Sequence, residues 1–224
     1  MPLADPSTAL LAPADPLDQA RDRLIVALDV PAAPAALELV RQLEPACRWF
    51  KIGMELFTAA GPAVIAPLVA RGHSIFLDLK FHDIPNTVAG AVRSAAALGV
   101  RMITLHAAGG PAMLAAAGAA LEGLADPPQL LARMGLAAGI RGFVCSPKEV
   151  AALRVLTGPE GVLVIPGIRP AGAAIGDQKR IATPADALRD GASYLVVGRP
   201  ITQAPDPAEA AEAILKEMAE ALAE

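Results

Sequence analysis

Apolar residues along this chain fall into short continuous runs that alternate with stretches of helical spacing. The run Leu24 to Val30 ends in a carboxylate, Asp29, and reads as a strand buried on both faces. Further strands are predicted at Trp49 to Gly53, from Ser74 into Leu79, at Met102 to His106, Phe143 to Ser146, Val162 to Gly167 and Tyr194 to Arg199. Helical spacing fills the intervals at Ala35 to Leu43, Gly61 to Arg71, Ala89 to Leu98, Ala112 to Leu124, Val150 to Leu156, Pro184 to Arg189 and Pro207 to Ala223. Strand and helix in alternation imply a parallel sheet. Polar residues and glycines gather just after the strand C-termini, where a (β/α) barrel carries its chemistry.

The pattern supplies seven strands, and a closed (β/α)8 barrel needs eight. The shortfall lies between His106 and Phe143, where 36 residues also have to hold two helices. At 224 residues the chain has the length for one barrel domain, taken as residues 21–224. Residues 1–20 are rich in Ala and Pro and read as an arm or a short capping segment.

Composition narrows the function classes. A net charge of -4 argues against an electrostatic nucleic-acid binder. The first 20 residues carry no Lys or Arg and no signal-peptide core, and no apolar run is long enough to span a membrane, so a cytoplasmic protein is expected. Cys47 and Cys145 lack metal or redox spacing and are expected to be buried core thiols. The three histidines form no metal motif with the carboxylates. Of these, His73 is expected at the surface, His82 in supporting packing, and His106 either lining a site or in the core.

The candidate chemistry sits in Ser74 to Val88, where an apolar run is followed by Asp78, Lys80 and Asp83. Side chains alternate along a strand, so Asp78 and Lys80 share a face, toward the interior if Leu77 and Leu79 point outward. Asp83 lies beyond the strand end, which Pro85 enforces. Charges are expensive to bury unless paired, so this set is either a strand-end salt bridge or a built site.

The eleven residues Asp-Leu-Lys-Phe-His-Asp-Ile-Pro-Asn-Thr-Val from Asp78 resemble the signature of the orotidine 5'-monophosphate decarboxylase family in its bacterial form. The resemblance extends to Leu28-Asp29-Val30, Phe50-Lys51-Ile52-Gly53, His106-Ala107-Ala108-Gly109-Gly110, Pro166-Gly167-Ile168-Arg169-Pro170, Gly176-Asp177-Gln178 and Gly198-Arg199-Pro200. It implies a TIM (β/α)8 barrel and conversion of orotidine 5'-monophosphate to UMP in pyrimidine synthesis, without a cofactor or metal. The implied catalytic array is Lys80, Asp78, Asp83 and Lys51, with the Lys80 ammonium protonating C6. Asp29 and Lys51 would hold the ribose, and Arg169, Gln178, Gly198 and Arg199 the phosphate. Asp83 and Thr87 would reach into a partner's site, which makes a homodimer the expected form.

Members of that family carry a fifth strand that begins like Leu130-Leu131-Ala132, whereas here Ala132 runs directly into Arg133-Met134-Gly135-Leu136. About 30 residues, one βα unit, are therefore expected to be missing or unrecorded near Ala132-Arg133. Two rivals remain on the same residues. One is a magnesium-dependent sugar-phosphate decarboxylase or synthase, disfavoured because Lys51 would repel the metal. The other is an inactive relic that binds phosphate.

Overall fold

The structure is a computed structural model, and it describes residues 15–44, 46–133, 140–170 and 181–224. Eight parallel strands close into a barrel in sequence order. They are β1 (Leu24–Ala27), β2 (Trp49–Gly53), β3 (Ser74–Phe81), β4 (Met102–His106), β5 (Gln129–Arg133), β6 (Gly142–Val144), β7 (Val162–Pro166) and β8 (Tyr194–Val197). The surrounding helices are α1 (Pro16–Arg23), α2 (Ala33–Leu43), α3 (Met54–Ala60), α4 (Ile65–Ala70), α5 (Pro85–Ala96), α6 (Gly110–Ala119), α7 (Val150–Thr157), α8 (Pro184–Arg189), α9 (Arg199–Thr202) and α10 (Pro207–Leu222). The helix expected across Gly61 to Arg71 is found as a 3-10 turn at Pro62–Val64 followed by α4, and Gly61, at φ +65°, closes the preceding α3, which the sequence pattern did not predict. The segment expected as an arm ends in α1, which packs on α10, while residues 1–14 lie outside the described residues.

Side-chain alternation along the strands separates two apolar layers. Outward residues such as Val26, Phe50, Leu77, Leu105 and Leu195 join the helices in the larger core. Inward residues Ile25, Phe76, Met102, Leu131, Val164 and Val196 fill the barrel. Trp49 and Tyr194 pack edge to face at 5.4 Å and border this inner cluster. Burial raises the Tyr194 phenol above its ordinary range. Both cysteines are buried and free, and burial pushes each thiol up to about 12.

The barrel is the expected one, but the strand count from the sequence needs correction. The fifth strand is present as Gln129–Arg133, hydrogen-bonded to β4 on one side and β6 on the other. Ala132 and Arg133 are consecutive residues of that strand. What is short is the connection from β5 to β6, residues 134–141, since a parallel crossover generally takes a dozen residues or more. Residues 134–139 lie outside the described residues. On this flank a groove of about 460 Å³ runs between α6 and the β5–β6 edge, lined by Leu114, Leu130, Ile140 and Arg141. The strand was missed because five residues flanked by Pro and by a helix-like run carry too little periodicity to stand out.

Candidate active site

The inward positions that continue the apolar layers toward the strand C-termini are polar. Phe76 faces the barrel interior, so two-residue alternation places Asp78 and Lys80 above it, while Leu77 and Leu79 pack outward. Lys80 Nζ lies 2.9 Å from Asp78 Oδ2. On β2 the same alternation turns Lys51 inward, and its Nζ lies 2.9 Å from Asp29 Oδ1 and 3.8 Å from Asp78 Oδ2. Asp29, Lys51, Asp78 and Lys80 thus form a row of alternating charge across three neighbouring chain segments. Lys51 is the most covered of the four, with 11% of its side chain exposed, and it has a carboxylate on either side. That pairing offsets the desolvation a lone ammonium would suffer there.

The strand bearing Lys80 is not regular. Its pairing with β4 shifts register between Leu77 and Phe81, and Lys80 adopts φ +56°, the single non-glycine residue with positive φ among the described residues. A side chain in the left-handed region costs about 1–2 kcal/mol, so its surroundings have to impose it. Thr104 on β4 is one such constraint. The Lys80 N–H donates to Thr104 Oγ1 at 2.9 Å, and the Thr104 hydroxyl donates to Asp78 Oδ1 at 3.0 Å. Thr104 is buried, and the sequence reading did not select it. Extending the alternation through Met102, Thr104 and His106 would have found it.

Gly53, at the end of β2, is the other close approach. A Cβ there would stand 3.0 Å from Lys51 Nζ and 3.3 Å from Asp29 Oδ1, so glycine leaves room for the ammonium.

Asp29 and Lys51 share a cavity of about 360 Å³ with Arg169, Gly198, Arg199 and Gln203. Gly198 and Arg199 follow β8, and Arg169 follows β7, where its N–H donates to the Ala182 carbonyl at 3.0 Å. Arg169 is buried. Gln203, one turn beyond Arg199, was not foreseen. Gln178 lies outside the described residues. The structure therefore brings Asp29, Lys51, Arg169, Gly198 and Arg199 together, and it joins Asp78 and Lys80 to them through Lys51.

Asp83 and Thr87 stand apart from that row. Residues 82–87 are all exposed, and Asp83 Oδ1 accepts the Ile84 N–H at 2.7 Å. His82 stacks on His106, ring centroids 5.0 Å apart. His73 corrects its surface assignment: only 9% of the side chain is exposed, with Nε2 2.6 Å from Glu44 Oε1 and the ring edge-on to Phe50.

Comparison with known proteins bears on this arrangement. The chain matches the sequence model described as "Orotidine 5'-phosphate decarboxylase / HUMPS family" over residues 22–135 and 126–214. The chain belongs to the orotidine 5'-phosphate decarboxylase family. It is 48% identical to the orotidine 5'-phosphate decarboxylase of Moorella thermoacetica over 234 residues, covering 89% of this chain and 93% of that one. The Halorhodospira halophila enzyme of the same name is 50% identical, with 89% and 97% covered. The crystal structure of the decarboxylase from Lactobacillus acidophilus superposes with a TM-score of 0.76 at 36% identity, covering 88% of this chain and 98% of that one. An alignment of 234 positions is longer than the 224 residues here, so this decarboxylase-family relative carries residues with no counterpart in the chain. The two matched stretches overlap at 126–135, a span that includes β5. Among the described residues no helix is long and apolar enough to cross a membrane.

Proposed function

We propose that this protein is a carbon–carbon lyase that decarboxylates orotidine 5'-monophosphate to UMP, as a cytoplasmic homodimer. The observation that carries the reading is the Asp29–Lys51–Asp78–Lys80 row at the barrel mouth, joined to a cavity that holds two arginines. Loss of carbon dioxide from C6 breaks the C6–carboxylate bond and leaves its electron pair on the ring carbon. That anion needs a nearby positive charge and then a proton. The Lys80 ammonium supplies both, ending as an amine that solvent reprotonates. Asp78 holds the ammonium by its carboxylate at 2.9 Å and its backbone carbonyl at 3.3 Å.

Asp29 and Lys51 take the ribose hydroxyls. Arg169 and Arg199, with Gly198 and Gln178, take the phosphate, the guanidinium fork suiting its oxygens. This follows the usual location of phosphate after the seventh and eighth barrel strands. Asp83 and Thr87 act in the partner's site. Support for a partner comes from Ile84, an isoleucine beside Asp83 that is 66% exposed, and from Met54, 56% exposed after β2. Apolar side chains of that size on the functional face suit an interface.

The magnesium-dependent rival is disfavoured by Lys51, whose ammonium occupies the space between Asp29 and Asp78 where a cation would be held. The relic reading draws on the short β5–β6 connection. One assay separates the three. Ultraviolet absorbance of orotidine 5'-monophosphate falls on adding protein, with or without EDTA, if the proposal holds. Loss of the change with EDTA favours the metal enzyme, and a flat trace with intact nucleotide binding favours the relic.

A further inference from the structure

We propose that the stacked His82–His106 pair is the clamp that keeps Lys80 in its left-handed conformation, and that His106 is a positioning residue for proton delivery. The inference rests on the reading of Lys80 as the proton donor. Thr104 fixes the backbone on the N-terminal side of the distortion. On the C-terminal side, Phe81 regains register opposite Leu105, and the next residue, His82, lies nearly parallel to His106, with 18° between the ring planes. His106 is itself anchored, on β4 opposite Arg133 and through Nδ1, which accepts the Ala108 N–H at 3.3 Å. Gly109 borders the pair closely enough that a Cβ there would stand 3.2 Å from His82 Cδ2. His82 is exposed, so the stack rather than burial in a core immobilises the turn that follows Lys80.

Steady-state kinetics with orotidine 5'-monophosphate test this on the full chain. His106→Ala should lower kcat about tenfold while KM stays within about twofold, because the proposed nucleotide contacts lie on β2 and just after β1, β7 and β8. His106→Phe, which keeps a ring to stack on His82, should retain most of kcat. Circular dichroism and thermal melts check that each variant is folded. Unchanged kcat in a folded His106→Ala overturns the clamp. So does rescue by His106→Asn and not by Phe, which would confine His106 to capping the turn at Ala108. Lys80→Ala in parallel distinguishes the failures: activity there removes the Lys80 reading and the clamp with it, whereas inactivity there beside a normal His106→Ala removes the clamp alone.

Discussion

At the scale of single residues, the proposed reaction gives the chemistry to Lys80, and Thr104 sets its geometry through the Lys80 N–H and Asp78. In the proposed reaction Lys80→Ala removes both the charge beside C6 and the proton, so kcat should fall by roughly 10³-fold or more, with nucleotide binding retained if the arginine cavity holds the phosphate. A UMP-formation assay alongside a binding titration checks this. Thr104→Val keeps the volume but deletes the acceptor for the Lys80 N–H and the donor to Asp78. Each lost partner leaves a polar group at a cost of about 1–3 kcal/mol. A drop in kcat of about tenfold, together with a lower thermal midpoint, is the expected result. Lys80 was legible in the sequence because charge beside an apolar run is conspicuous. Thr104 was not, since a threonine within a strand is unremarkable until its partner on β3 is known.

At the scale of elements, the join between α2 and β3 contributes a pH-dependent bond distant from the chemistry. Glu44, at the C-terminus of α2, is held below the usual carboxylate range, chiefly by its hydrogen bond to His73 and further by the charge of Arg71. A carboxyl whose folded value is lowered stabilises the fold fully above its unfolded value of about 4.5 and loses that contribution as pH falls through the folded value. Glu44→Gln should therefore melt below the parent at neutral pH, with the difference shrinking below that range. Thermal melts across the acid limb measure it. Gly53 makes the complementary case at the end of β2. Gly53→Ala should push the Lys51 ammonium off Asp29 and raise KM several-fold with little change in melting temperature, because the atom displaced is the end of a flexible chain.

At the scale of the whole molecule, the proposed dimer makes a quantitative prediction. If Asp83 serves the partner's site, Lys80→Ala and Asp83→Ala proteins, each inactive alone, should regain about a quarter of parental activity when mixed and allowed to exchange subunits. Half the dimers are then mixed, and each has one intact site of two. A mixture as inactive as its components would remove the shared-site arrangement.

How far the sequence reaches differs between fold and site. The alternation of apolar runs with helical intervals determined the (β/α) class, and side-chain alternation put Asp78 and Lys80 on one face, since each segment obeys these rules on its own. The expected places of Lys51, Arg169 and Arg199 came from the family resemblance. The fifth strand, the left-handed backbone at Lys80, Thr104 as the link between Lys80 and Asp78, and the stack of His82 on His106 were decided by the tertiary structure. Each depends on which residue of a neighbouring strand comes opposite, and that register is set only when the barrel closes.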